Sequence, residues 1–324
     1  MKYVIKMILI GFLAIFLIYP VITENAFMSV FLAQLMGKIL LTVAAWALLE
    51  VGGQPVFSLS ALAGIGVYGY ALLTTHAGVN PWLALLLGVL LATVVGLGIS
   101  VPSIKVGGIM NQGILNIFFI FAFSALIKAF SNFTGGTAGI NVVKLTPTAF
   151  FASIPNKYLI IMVLTVLGVG GIAAILRSRT GATIALVAKN ENLASTLGIN
   201  AKKYKRLAYL LFIPFIALAG FCISFTTGFT TPVTWSTDLA FMVILSYWIG
   251  GSRSIYGPII GSAIITSIPT LFNMAIEWRI VICGVLALLI RMYMPEGILG
   301  LLEKIAAKVK GDKIVDRFKA KKVS

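Results

Sequence analysis

The chain has 324 residues, 60% of them hydrophobic and only 10% charged, with a mean hydropathy of +1.05. Soluble domains carry about 25% charged residues, so this chain has too little charge to cover a water-facing surface, and a bilayer must act as its solvent. The net charge of +16 does not mark a nucleic-acid binder, because the basic residues sit between and after apolar spans and form no soluble basic face interleaved with aromatics.

A hydrocarbon core about 30 Å thick is crossed by about 20 apolar residues of helix. Ten segments fit, in chain order: Val4–Ile22, Met28–Leu49, Phe57–Thr74, Pro81–Val101, Ile109–Phe130, Tyr158–Leu176, Leu207–Thr227, Asp238–Ile249, Tyr256–Ala275 and Arg279–Met294. The first follows Lys2 and Lys6 as a signal peptide would. It is longer than a typical signal core and no small-residue cleavage site follows it, so it is expected to be a membrane helix. The third segment carries Gly64, Gly66 and Gly69, and the short eighth ends in Gly250-Gly251. Such segments read either as interrupted helices around a solute path or as tight packing through small residues. With an even number of spans, both termini fall on one side. Twenty of the 25 Lys and Arg residues then lie on that side, which the positive-inside rule makes cytoplasmic. The expectation is one all-α integral membrane domain over residues 1–324, in the cytoplasmic membrane.

Polar groups inside apolar spans are candidates for a solute path, because stranding them in lipid is costly. Lys38 lies near the middle of the second segment, where a charge costs at least about 2.5 kcal/mol unless paired or hydrated. It can meet a solute carboxylate, pair with an acidic group, or snorkel to an interface. Gln112 and Asn116 share one face of the fifth segment, beside Asn111, and suit either a wet cavity or an interhelical bond. Gln54, Ser58, Ser60 and Tyr68, in and just before the third segment, complete the set. Glu50 and Asp238 fall at span ends, where exposure is the plain reading. Cys222 and Cys283 read as small buried hydrophobes, and with His76 the sole histidine no metal centre is expected.

Three pieces lie outside the spans. The loop Ser131–Lys157 holds Thr134-Gly135-Gly136-Thr137-Ala138-Gly139, suited to tight turns. The tail Leu301–Ser324 mixes apolar residues with lysines, and suits either the lipid surface or solvent. The loop Arg177–Arg206 is longer than a connector requires. Thr180 is expected to cap one helix over Gly181–Lys189, and Asn192 a second that closes at Gly198. Ile184, Val187, Leu193 and Leu197 give these helices apolar residues, for docking either on another protein or on the bundle's own end.

The loop resembles the cytoplasmic loop of LivM-type permeases from branched-chain amino acid ABC importers. The resemblance is carried by Arg177, Ser178, Arg179, Gly181, Asn190, Glu191, Ala194, Leu197, Gly198, Ile199 and Asn200. Further matches are Gly53–Tyr68, Thr134–Ile140, Gly250–Gly261 and Met294–Gly300, in the family's order and spacing. Departures are also clear. Ala182, Ala185 and Ala188 stand where the family has arginines, Leu59 where it has a histidine, and Asn111-Gln112 where it has an aromatic pair.

The resemblance implies an ABC importer permease fold: about ten transmembrane helices, some interrupted, with a coupling loop. ATPase contact would then fall to Gly181, Asn190, Glu191, Asn192, Ala194, Leu197 and Gly198, and the external loop would centre on Thr134, Gly135, Gly136 and Thr137. Implied partners are a second related permease, two ATPase subunits, an extracytoplasmic solute-binding protein and membrane lipid, with no nucleic acid. The sequence has no Gly-x-x-x-x-Gly-Lys-[Ser/Thr] run, so ATP and Mg are expected on the partner subunits and no cofactor on this chain. The expected activity is translocation of branched-chain or other small amino acids and not an enzymatic reaction. An amide- or urea-type solute, or an autonomous secondary transporter, is the alternative.

Overall fold

The computed structural model describes residues 26–106, 108–142, 154–271, 276–294 and 297–300. The expected first span, Val4–Ile22, and the basic tail, Leu301–Ser324, lie outside the described residues, as do Gly107, Pro295 and Glu296. The helices are α1 (Ala26–Trp46), α2 (Leu59–Thr75), α3 (Pro81–Val106), α4 (Ile109–Ala129), α5 (Ser131–Thr134), α6 (Ile154–Arg177), α7 (Arg179–Lys189), α8 (Glu191–Thr196), α9 (Ala201–Thr227), α10 (Thr237–Gly250), α11 (Tyr256–Leu271) and α12 (Ile276–Tyr293). Two short strands, β1 (Ile140–Asn141) and β2 (Phe229–Thr230), pair antiparallel.

Among the described residues, five helical stretches are long and apolar enough to cross a membrane: Phe27–Val51, Pro81–Val106, Ile109–Ala129, Lys157–Arg177 and Ala201–Thr227. Shorter apolar helices stand at Leu59–Thr75, Thr237–Gly250, Tyr256–Ile268 and Val281–Ile290. This is an all-α, multi-pass membrane protein. Lipid offers no hydrogen bonds, so backbone groups must be satisfied within each helix. Large apolar side chains accordingly point outward from α3 and α4, among them Leu86, Leu90, Val94, Phe118 and Phe121.

At the centre stands α9, which at about 1.5 Å per residue is long enough to span the bilayer. It packs against α1, α2, α3 and α6, and buries Phe212, Ile213, Ile216, Phe221 and Phe225. Contact with α2 is made through small residues. A Cβ on Gly66 would stand 2.8 Å from the Ala217 Cβ, and one on Gly220 would stand 2.8 Å from the Ala63 carbonyl carbon. The glycines of the third segment therefore let backbones approach, and α2 itself is unbroken.

The interruption lies just ahead of α2. There α1 unwinds through a π-helical turn, Ala47–Val51, into a non-helical stretch that reaches Ser58. A second interruption separates α10 from α11 at Gly251–Ile255. The Trp46 Nε1 donates to the Ser252 carbonyl (2.9 Å) and ties the two interruptions together. Both sit at the end of the bundle that carries α7 and α8.

The opposite end is closed by the β1–β2 ladder, with Ile140 opposite Thr230 and Asn141 opposite Phe229. The expected turn leads into it. Thr134 Oγ1 bonds the Ile127 carbonyl and accepts from the Gly136 N–H, while Thr137 is exposed. Gly135 takes a left-handed φ of 73°, and a side chain there would collide with the Gly139 carbonyl. Trp235, fully buried, donates to Thr230 Oγ1 (2.8 Å) and anchors the ladder on the bundle.

Candidate functional site

The long loop folds as two capped helices, one residue apart. Its caps differ from those expected. Ser178, not Thr180, starts α7, its hydroxyl accepting from the Gly181 N–H (3.1 Å). Asn190, not Asn192, starts α8 by accepting from the Leu193 N–H (2.9 Å), and Asn192 lies within the helix. Ser178 wins because the helix begins two residues early, directly beyond α6, and Asn190 serves at once as C-cap of α7 and N-cap of α8. Gly198 follows Leu197, the C-cap of α8, at φ 74°, as its sequence position suggested. Asn200 then caps α9.

The two helices divide their apolar residues between two tasks. Ile184 and Val187 of α7 are buried against the bundle, while Leu193 of α8 and its C-cap Leu197 are 48% and 62% exposed. Gly181 sits so tightly on the end of α6 that a Cβ would stand 2.9 Å from the Leu176 Cα. At the other end of α7, Ala188 meets the interruption after α1, where a Cβ on Gly53 would stand 2.8 Å from the Ala188 Cβ. Glu191 of α8 pairs with Lys205 of α9 at 2.6 Å, and Ala194 is buried beneath it. The pair of helices is thus fixed to α1, α6 and α9, with one apolar edge outward.

Sequence-predicted polar residues fall into two places. Gln54 belongs to the interruption: its amide nitrogen donates to the carbonyls of Gly52 (3.2 Å) and Gly53 (3.0 Å), replacing helix bonds lost there. Ser58 reaches across to α4 and donates to Asn116 Oδ1 (2.6 Å), whose amide donates to the Gln112 carbonyl (2.7 Å). Ser60 and Gln112 are buried near this join and Tyr68 lies farther along α2 against Phe123, each with a side-chain oxygen that has no partner among the described residues. Asn111 faces outward with Ile114, Leu115 and Phe118 in a shallow groove on α4.

Lys38 is elsewhere. It lines a cavity of about 480 Å³ bounded by α1, α9, α10, α11 and the segment after β2, within the range of about 300–1,000 Å³ usual for small-molecule sites. From α1 come Gln34, Lys38 and Thr42, spaced i, i+4, i+8 on one face. α10 supplies Asp238, Met242 and Ser246 with the same spacing, and α11 supplies Ser262, Ile265 and Thr266. From α9 come Ile223, Ser224 and Thr227, and Thr231, Val233 and Thr234 complete the wall toward the β-ladder end. Ser224 and Ser262 are buried with hydroxyls that have no partner among the described residues. Asp238 is exposed, as its span-end position predicted, yet it also borders the cavity. Among the described residues the cavity therefore has one basic and one acidic side chain, several hydroxyls and an aliphatic wall, which suits a small polar solute with an apolar part.

Sequence reading found Lys38 but missed Gln34, Thr42, Ser246, Ser262 and Thr266. A signal was present: polar residues at four-residue intervals within otherwise apolar helices share one face.

Residues 28–291 match the family described as "Branched-chain amino acid transport system / permease component". The chain is similar to the high-affinity branched-chain amino acid transport system permease protein LivM of Escherichia coli, at 22% identity over 91% of this chain and 75% of the relative. It is similar to the protein of the same name from Salmonella typhimurium to the same extent. No solved structure matches the chain.

Proposed function

Because the chain belongs to the branched-chain amino acid transport permease family, we propose that it is the membrane subunit of an ATP-driven importer, translocating branched-chain or other small amino acids. In this reading α7 and α8 face the cytoplasm, as do both termini, and the β ladder faces outside. Two ATPase subunits, which hold ATP and Mg, engage α8. A second related permease completes the pore, and an extracytoplasmic binding protein delivers solute. The supporting relatives are branched-chain amino acid permeases by name.

The observation that carries the reading is the way α7 and α8 are mounted. A solvated connector needs neither the buried seat of Ile184 and Val187 nor the exposed pair Leu193 and Leu197. An element that is rigid on one side and apolar on the other can be pushed by a partner. The contact of Ala188 with Gly53 leads from that element into α1, which lines the cavity.

Site-directed cross-linking tests this. Leu197→Cys and Leu193→Cys in the assembled complex should cross-link to the ATPase subunit, with a yield that changes when nucleotide binds. Thr137→Cys, exposed at the opposite end, should not. Absence of a cross-link at both leucine positions in a complex that hydrolyses ATP would overturn the assignment of α8.

A further inference from the structure

The cavity is open at one end and shut at the other. At the β-ladder end its lining includes Phe229, Val233 and Asp238, all exposed, whereas Thr42, Ser246 and Ser262 toward the α7 end are buried. We propose that Trp46 is the gate at the shut end. Its indole closes the seam between α1 and the α10–α11 pair, and its bond to Ser252 holds the seam until α7 moves. The drive through α7 rests on the importer reading, whereas the plug itself does not.

The position follows from helix geometry. Trp46 lies four residues beyond Thr42, about 6 Å deeper along α1 and on nearly the same side. Both α10 and α11 pack against α1. Below Ser246 and Ser262 those two helices meet backbone to backbone at Gly250 and Gly257, which closes the space between them. The remaining seam runs between α1 and the pair. Trp46 lies in it, 4% exposed, and reaches the Ser252 carbonyl (2.9 Å). A tryptophan near the end of a span ordinarily sits at the lipid interface. This one is turned inward, onto backbone that the break between α10 and α11 leaves outside any helix. Non-helical backbone at membrane depth persists only where protein covers it or a water-filled cavity meets it. Trp46 supplies the cover.

A means of opening stands beside it. Directly after Trp46 the helix widens into the π turn Ala47–Val51, closed by the Gly52 N–H on the Ala47 carbonyl (2.9 Å). A π turn holds more residues than an α turn, so tightening it rotates Trp46 relative to the chain that follows. That chain is held at Gly53 against Ala188 of α7. A shift of α7 therefore acts on the turn that carries Trp46, against the bond to Ser252.

Cysteine labelling in membrane vesicles tests the gate, with Ser246→Cys as reporter and a charged, membrane-impermeant methanethiosulfonate as reagent. Leu197→Cys and Thr137→Cys identify which face each vesicle presents. The chain without the reporter gives the background from Cys222 and Cys283, both buried. With Trp46 in place, Ser246→Cys should react from the ladder face and not from the α7 face. Trp46→Phe keeps a ring but loses the N–H, and should raise the rate from the α7 face about 5-fold, the effect of one ordinary hydrogen bond. Trp46→Ala should raise it further, by roughly 10-fold or more, because the hole left by a deleted core ring closes only partly. Equal labelling from both faces with Trp46 present, or an unchanged rate in Trp46→Ala, would overturn the gate. Should Trp46→Ala lose its monodisperse peak in detergent, Trp46→Phe decides alone: a raised rate supports the gate and an unchanged one overturns it. In the full complex, ATP should raise labelling from the α7 face. A gate that responds to Trp46→Ala but not to ATP would stand, and the drive through α7 would be refuted.

Discussion

Replacing Gly257 with valine should dismantle the packing of α10 against α11. A Cβ at Gly257 would stand 2.7 Å from the Gly251 carbonyl carbon, one at Gly250 would stand 2.6 Å from the Gly257 carbonyl carbon, and one at Gly261 would stand 2.7 Å from that of Ser246. The two helices therefore touch backbone to backbone across three glycines. In a membrane there is no hydrophobic drive between helices, and close van der Waals approach through small residues does that work instead. Overpacking a core typically costs about 1–3 kcal/mol, mostly by displacing flexible side chains. Here the obstacle is backbone, which cannot change rotamer, so a cost at or above the upper end, roughly 3 kcal/mol, is expected. Gly98→Ala is the matched control, because a Cβ there meets nothing within 4 Å and alanine is the better helix former. Thermal melting of the detergent-solubilised chain, followed by size exclusion, should show Gly257→Val losing its monodisperse peak and Gly98→Ala keeping it. Equal melting of the two variants would show that α10 and α11 do not meet as described.

Gly198→Pro should leave the bundle inserted and folded but abolish ATPase stimulation in the reconstituted complex. Gly198 has φ 74° and its N–H donates to the Ser195 carbonyl (3.0 Å). Proline fixes φ near −65° and has no N–H, so the chain must leave α8 by another path and Leu197 must move. No atom lies within 4 Å of a Cβ placed at Gly198, so only the backbone conformation is at stake. That separates a graded series. Asn tolerates the left-handed region and should act nearly as wild type, Ala should show a partial defect, and Pro a complete one. The comparison to make is solute-stimulated ATP hydrolysis across the series at matched incorporation. A proline variant with normal stimulation would remove α8 from the coupling step.

The bundle was readable from the sequence because apolar length and charge asymmetry are properties of single segments. Every expected segment from Met28–Leu49 onward has a helix at its place. What required coordinates was anything set by a neighbour. Ser178 and Thr180 can both cap a helix in isolation, and the folded chain uses Ser178. The glycines of Gly64–Gly69 fit an interruption and a packing face alike until Ala217 of α9 and Gly88 of α3 are seen beside them. Gln112 and Asn116 stood out as a polar pair on one helix, and Ser58 lies bonded to Asn116 across the α2–α4 gap. The cavity draws a few residues from each of four helices and the segment after β2, so no single stretch signals it strongly. Its clearest trace was the four-residue spacing of Gln34, Lys38 and Thr42, of which the charge alone drew notice.

The central claim is that α7 and α8 are the point where a separate ATP-hydrolysing subunit drives this chain. Uptake of radiolabelled leucine into proteoliposomes, with and without that subunit, tests it directly. The account predicts uptake only when the hydrolysing subunit and ATP are both present, with loss of uptake when hydrolysis is blocked. Leucine accumulation by this chain alone, driven by an imposed ion gradient, would contradict it.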